Sequence, residues 1–142
     1  MNFEHTYVFN RRTYVLASTA DGWELLYKSP DTAPVHQPFD TYETARAAYW
    51  RRLACAVLLS SRRLRSADIN GTLVALATDH DGRTHLACHG ALGPDHVAPY
   101  TDRVTALIAW RDLCWNLVSH ASRSGPLPGD TARAETVAAL LG

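Results

Sequence analysis

Shifted against itself by 60 residues, the sequence matches without a gap. Asn10 falls on Asn70, Leu16-Ala17 on Leu76-Ala77, Asp21-Gly22 on Asp81-Gly82, Leu26 on Leu86, Pro34 on Pro94 and His36 on His96. Thr41 falls on Thr101, Trp50-Arg51 on Trp110-Arg111, Leu53 on Leu113 and Arg63 on Arg123, which makes 13 identities over the 60 positions from 4 to 63. A fixed period of this length points to one supersecondary unit used twice, and any fold for the chain must accommodate it. The expected boundaries are 1–63 and 64–123 for the two copies within one pseudo-symmetric domain, with 124–142 as a linker and a short C-terminal helix.

Each copy reads in the same order. Thr6-Tyr7-Val8-Phe9 is a short β run, then come the turn Asn10-Arg11 and a second run, Arg12 to Ser18. In the second copy the turn is Asn70-Gly71, the strongest hairpin signal in the chain. Asp21-Gly22 and Asp81-Gly82 mark the next turn, followed by third strands at Trp23 to Lys28 and Arg83 to His89. A proline-containing loop comes next in each copy, with Pro30, Pro34 and Pro38 in one and Pro94 and Pro99 in the other. Helices are then expected over 41–63 and 101–122. Asp40 before Glu43 gives the first a capping-box-like start, and Thr101-Asp102 gives the second a weaker one. Ser124 to Gly129 stops the second helix, and a last helix ending near Leu141 would dock through Val137, Leu140 and Leu141.

The unit is therefore β-β-β-α, and the fold class is α+β. A hairpin-rich sheet cannot bury its apolar face alone, so the helix must cover it. Two fused copies most simply place two helices on one face of antiparallel sheet. Trp50 and Trp110 lie on apolar stripes with 3-4-7 spacing and are expected in the core.

Composition excludes several classes. Lys+Arg and Asp+Glu are both 14 in 142 residues, so a globally basic nucleic-acid binder is not expected. Three cysteines without a CxxC pair argue against a disulfide scaffold and for a reducing cytoplasm. No signal peptide is visible, and the longest apolar run falls far short of the ~20 residues a membrane helix needs. GxGxxG, Walker, HExxH and GxSxG motifs are absent.

Three groups of residues could carry function. On a helix reaching 63, Arg51 and Arg62, like Arg52 and Arg63, are 11 positions apart, close to three turns. They would form an arginine ridge with Arg65 just beyond, suited to phosphates or carboxylates. His36 and His96 match between copies, each two residues after a matched proline, and could form an acid–base site between the repeats. His85 and His89 would share a strand face about 13 Å apart at ~3.3 Å per residue, too far to ligate one ion together. Solvated strand and turn residues are the plainer reading of that stretch, and neither a metal nor a cofactor is expected.

The leading functional reading is a small non-catalytic protein-binding module, of adaptor or inhibitor type. The alternative is a nucleic-acid-binding module using the arginine ridge, and the third is a small enzyme with the histidine site. Residues 1–65 carry nine basic and six acidic residues, whereas residues 66–142 carry five and eight. With halves of net +3 and −3, and with the second helix apolar over more than one stripe, self-association as a two-fold homodimer is expected.

Overall fold

The computed structural model describes residues 2–90 and 95–123, so the expected C-terminal helix lies outside the described residues. The elements follow in the order β1 (Asn2–Phe9), β2 (Arg12–Thr19), β3 (Gly22–Lys28), β4 (Val35–Phe39), α1 (Tyr42–Leu58), β5 (Arg63–Ile69), β6 (Thr72–Thr78), β7 (Thr84–Gly90), β8 (His96–Tyr100) and α2 (Arg103–Arg123). The chain is α+β, with two antiparallel four-stranded meanders, β1-β2-β3-β4 and β5-β6-β7-β8, and two helices.

Each helix thus follows four strands rather than the expected three. The segments read as proline loops end in short edge strands, with Pro38 opposite Glu24 and Pro99 opposite His85. Proline is tolerated there because the outer edge of an edge strand requires no backbone donor. The hairpin turns form as their residues dictate. Asn10 (φ 51°) and Arg11 (φ 64°) in one half, and Asn70 (φ 54°) and Gly71 (φ 84°) in the other, are left-handed at both central positions, which suits the twist of the flanking strands.

The first helix differs from expectation at both ends. Its cap is Thr41, whose Oγ1 accepts from the Thr44 N–H at 3.3 Å, one residue later than the Asp40 cap read from the sequence. It stops at Leu58 instead of 63. Leu59 N–H donates to Cys55 O at 2.9 Å, Ser60 N–H turns to Val57 O at 3.1 Å, and the Ser60 hydroxyl accepts from Arg62 N–H at 3.2 Å. That hydroxyl offers the backbone an alternative to the next helical turn. The second helix begins after Asp102, whose carboxylate accepts from Thr105 N–H at 2.8 Å.

The layers interleave. α1 packs against both sheets, whereas among the described residues α2 packs mainly against the second. The order is first sheet, α1, second sheet, α2, in place of two helices on one sheet face. Phe9, Tyr14, Leu16 and Leu25 meet Ala45, Tyr49, Leu53 and Val57 of α1 in one core, which Ala77, Ala87 and Val97 close from the second sheet. Val74, Leu76 and Leu86, on the opposite face of that sheet, meet Ala106, Trp110, Cys114 and Val118 of α2. A strand buried on both sides reads as a continuous apolar run, and β6, Leu73 to Ala77, does.

The pairing registers place the two halves in correspondence, but not at one constant offset. Leu16 pairs with Leu25, and Leu76 with Leu86. The offset is therefore 60 through β2 and 61 from β3 onward, the extra residue lying in the turn between β6 and β7. Trp110 consequently stands where Tyr49 stands, not Trp50. Trp110 is fully buried, while Trp50 is half-buried beside the first core.

Candidate functional site

The five arginines of the expected ridge are not on one helix. Arg51 and Arg52 lie on α1, Arg62 lies in the turn after it, and Arg63 and Arg65 lie on β5. Arg62 Nη1 donates to Asp79 O at 3.5 Å, and its own carbonyl accepts from Thr78 N–H at 3.1 Å, which ties the turn to the second sheet. The eleven-residue spacing required an unbroken helix, and Ser60 ends it.

His36 and His96 are not brought together. His36 sits opposite Leu26 on the outward face of the first sheet, where its Nδ1 bonds Glu24 Oε1. His96 opens β8 and stacks on Trp50 of α1, with ring centroids 4.7 Å apart. The first sheet separates them, and the one-residue change of offset places His36 opposite Val97 in the correspondence rather than His96.

A histidine does join the two halves, and it is His85. It is 1% exposed, contrary to the reading of its stretch as solvated. Its Nε2 lies 2.7 Å from Asp79 Oδ2, and its Nδ1 lies 2.6 Å from the Tyr7 hydroxyl on β1. Asp79 Oδ1 accepts from the N–H groups of Asp81 and Arg83, each at 2.9 Å. A carboxylate cannot donate, so Nε2 carries the proton and Nδ1 accepts from Tyr7. Burial pushes the His85 pKa below its ordinary value against the pull of Asp79. Burial works to raise Asp79, but the hydrogen bonds from His85, Arg83 and Asp81 outweigh it and hold the carboxyl below its usual value. Tyr7 is pushed well above its ordinary value, first by burial and then by Tyr49 and Asp79.

Every polar atom of the His85 ring is thus satisfied. The hydroxyl at the end of the chain of bonds is a poorer acid than a free tyrosine. The arrangement suits a clamp better than a proton relay, because a catalytic acid needs a pKa near the working pH. Phe9, edge-on to His85 at 4.9 Å, and the bond from His80 N–H to Asn10 Oδ1 at 3.0 Å complete the same junction. Parity could have flagged His85 as inward-facing, but its partner Tyr7 is 78 positions away and carries no local signal.

Among the described residues, nothing covers the two ends of the layer stack. On α2, Val104, Ile108 and Trp115 follow one another at i, i+4 and i+11 and are 68%, 46% and 54% exposed. Trp115 occupies the place of Ala54, which in α1 is fully buried. At the other end, the face of the first sheet turned away from α1 presents Phe3, Val8, Val15 and Leu26, with Phe3 65% exposed. The corresponding face of the second sheet is the one that α1 covers.

Among the described residues, no group of histidine, cysteine and carboxylate side chains could hold a metal ion, and no helix is long and apolar enough to cross a membrane. No protein-family model, curated protein or solved structure matches the chain.

Proposed function

We propose that the chain is a duplicated, non-catalytic protein-binding module of adaptor type, and that its partner is another copy of itself, joined head to tail. The observation that carries this reading is the exposed stripe Val104, Ile108 and Trp115 on the helix that ends the stack. Inside the molecule, a helix of one half already carries a sheet of the other. Repeating that contact between molecules would set α2 of one copy on the outer face of the first sheet of the next. Exposed apolar groups gathered on one face mark interaction sites; here Arg111, paired with Asp112 at 3.7 Å, lies between Ile108 and Trp115. A contact between two different surfaces is heterologous and extends unless rotation closes it, so the assembly would grow beyond a dimer with concentration.

The nucleic-acid reading draws less support, because its five arginines are spread over a helix, a turn and a strand. So does the histidine enzyme, because His36 and His96 stand apart. The test is sedimentation across a concentration series reaching roughly 100 μM, a regime in which micromolar contacts are populated. Wild type is expected to grow in mass, and Trp115→Lys and Phe3→Lys are each expected to be monomeric alone. An equimolar mixture of the two variants should form a dimer, since one intact junction remains. A monomeric wild type, or a mixture that stays monomeric, overturns the reading.

A further inference from the structure

The register correspondence separates what the fold needs from what the first half has added. Between the start of β2, β4 and the second half of α1 lies a cleft of about 480 Å³, lined by Arg12, Tyr14, Gln37, Arg51, Arg52 and Cys55, with Ala48, Ala56 and Leu59. Three arginines line it and no acidic residue does. Among the described residues, none of the three arginines has an ion-pair partner; the pairs present are His36–Glu24, His85–Asp79, His89–Asp95 and Arg111–Asp112.

The arginines are nevertheless positioned. Arg52 lies over the Tyr27 ring at 4.3 Å and Arg12 lies 5.9 Å from the centroid of the same ring, so two cations lie against one aromatic side chain. Arg12 Nε also donates to Ser29 Oγ at 3.1 Å, and the same side chain hydrogen-bonds the Tyr14 hydroxyl, which together fix the fork at the cleft. Like charges gathered at one cleft repel, and a bound anion relieves the repulsion. Tyr14 is buried at the cleft; burial pushes its hydroxyl up while Arg12 and Arg52 pull it down.

The second half shows that packing does not require any of this. At the corresponding positions it has Thr72 for Arg12, Val74 for Tyr14, Cys88 for Tyr27, Ala98 for Gln37, Asp112 for Arg51 and Leu113 for Arg52. The same sheet–helix contact is made there with no basic residue in the set. The arginine cluster is therefore an addition to the unit rather than a consequence of it.

We propose that this cleft binds the phosphoryl group of a small phosphorylated molecule. Planar guanidinium forks match a tetrahedral oxyanion bidentately and cannot lose their charge. The volume lies within the ~300–1,000 Å³ typical of small-molecule sites. The Tyr27 face is covered by Arg52, so the cleft offers phosphate contacts and polar neighbours and no stacking platform for a base. The site lies on the α1 side of the first sheet, away from both open ends of the stack, and stands or falls independently of self-association.

The experiment is isothermal titration with inorganic phosphate, pyrophosphate and citrate at fixed ionic strength. Pyrophosphate is expected to bind saturably at one site with a Kd of roughly 1 mM or below, more tightly than citrate. Arg51→Gln, an exposed position whose loss leaves the fold intact, should weaken it by about tenfold or more, the effect of losing one charge-assisted bond. Arg63→Gln, outside the cleft, should leave it unchanged. No saturable binding of phosphate or pyrophosphate, tighter binding of citrate, or equal weakening by both substitutions overturns the proposal; the last result would show diffuse charge instead of a site.

Discussion

The two sheets have the same strand order and matching registers, yet they solve different packing problems. The first sheet buries one face and leaves the other to solvent, so its residues alternate, with Leu25 inside and Leu26 half-buried on the outer face. The second is covered on both faces, and it pays for this in side-chain size: Ala77 and Ala87 lie against the first core where a larger residue would hold α1 away. The lesson is that position in the stack, not strand identity, sets what each strand must contain.

A charge introduced at corresponding sites should expose that difference. Ala87 corresponds to Leu26, but Ala87 is sealed beneath α1. Ala87→Asp would bury an unpaired carboxylate, one of the few changes that cost more than ~4 kcal/mol. Against a total stability of ~5–15 kcal/mol this approaches unfolding. Leu26→Asp should cost about 1 kcal/mol or less when the protein is dilute enough to be monomeric, since its side chain can reach water. Urea unfolding of the two variants measures the contrast. Equal losses would mean that the outer face of the first sheet is also covered.

The second contrast is between two histidine–carboxylate pairs. Glu24 and His36 face solvent on the first sheet, whereas His85, in the place of Glu24, is sealed with Asp79 between the halves. Tyr7→Phe would leave Nδ1 of His85 buried without its donor and should cost ~1–3 kcal/mol. Glu24→Gln, at an exposed pair, should cost ~0–1 kcal/mol. The pH dependence carries a definite sign. The folded-state pKa of His85 lies below its unfolded value near 6.5, so acid protonates the unfolded chain first. Stability is full above that value and falls as pH drops below ~6.5 toward the folded-state pKa. Asp79, also lowered, contributes stability that is present above its ordinary value near 3.8 and is lost as pH falls through its folded pKa. Denaturant midpoints at several pH values should show the first loss in wild type. A wild-type profile flat between pH 7 and 5 would show that His85 is not neutral in the fold.

Much of this architecture was legible in the sequence because the signals are local. The hairpin turns, the two helices and the α+β class follow from Asn10, Asn70-Gly71 and the apolar stripes. The fourth strands were hidden by Pro38 and Pro99, which local rules read as loop until an edge position makes them harmless. The offset of 60 was correct through β2 and then misleading, because one extra residue in the turn at Asp79–Arg83 moves every later match. The shared dipeptide Trp50-Arg51 and Trp110-Arg111 is therefore coincidence, and Tyr49 with Trp110 is the true pair. Of the candidate residues, Arg51 and Arg52 share a cleft, but their partner there is Arg12. Only the approach of α1 to β2 brings it near, and periodicity cannot report a contact between distant elements.

The smallest expected effect concerns the first turns of the two sheets. Both require left-handed residues at the two central positions, but one uses Arg11 (φ 64°) where the other uses Gly71 (φ 84°). A side chain in this region costs energy that glycine avoids. Arg11 lines no part of the cleft and makes no ion pair among the described residues. Arg11→Gly should therefore stabilise the protein by about 0.5–1 kcal/mol, the relief of strain being offset in part by the greater freedom of the unfolded chain. Gly71→Arg should destabilise by a similar amount. The space around a Cβ at Gly71 is open, so its cost would be conformational and not a clash. Thermal melts of both variants give the signs, and opposite signs are required if the two turns share one geometry. Destabilisation by Arg11→Gly would show that the Arg11 side chain makes a contact worth more than the strain it bears.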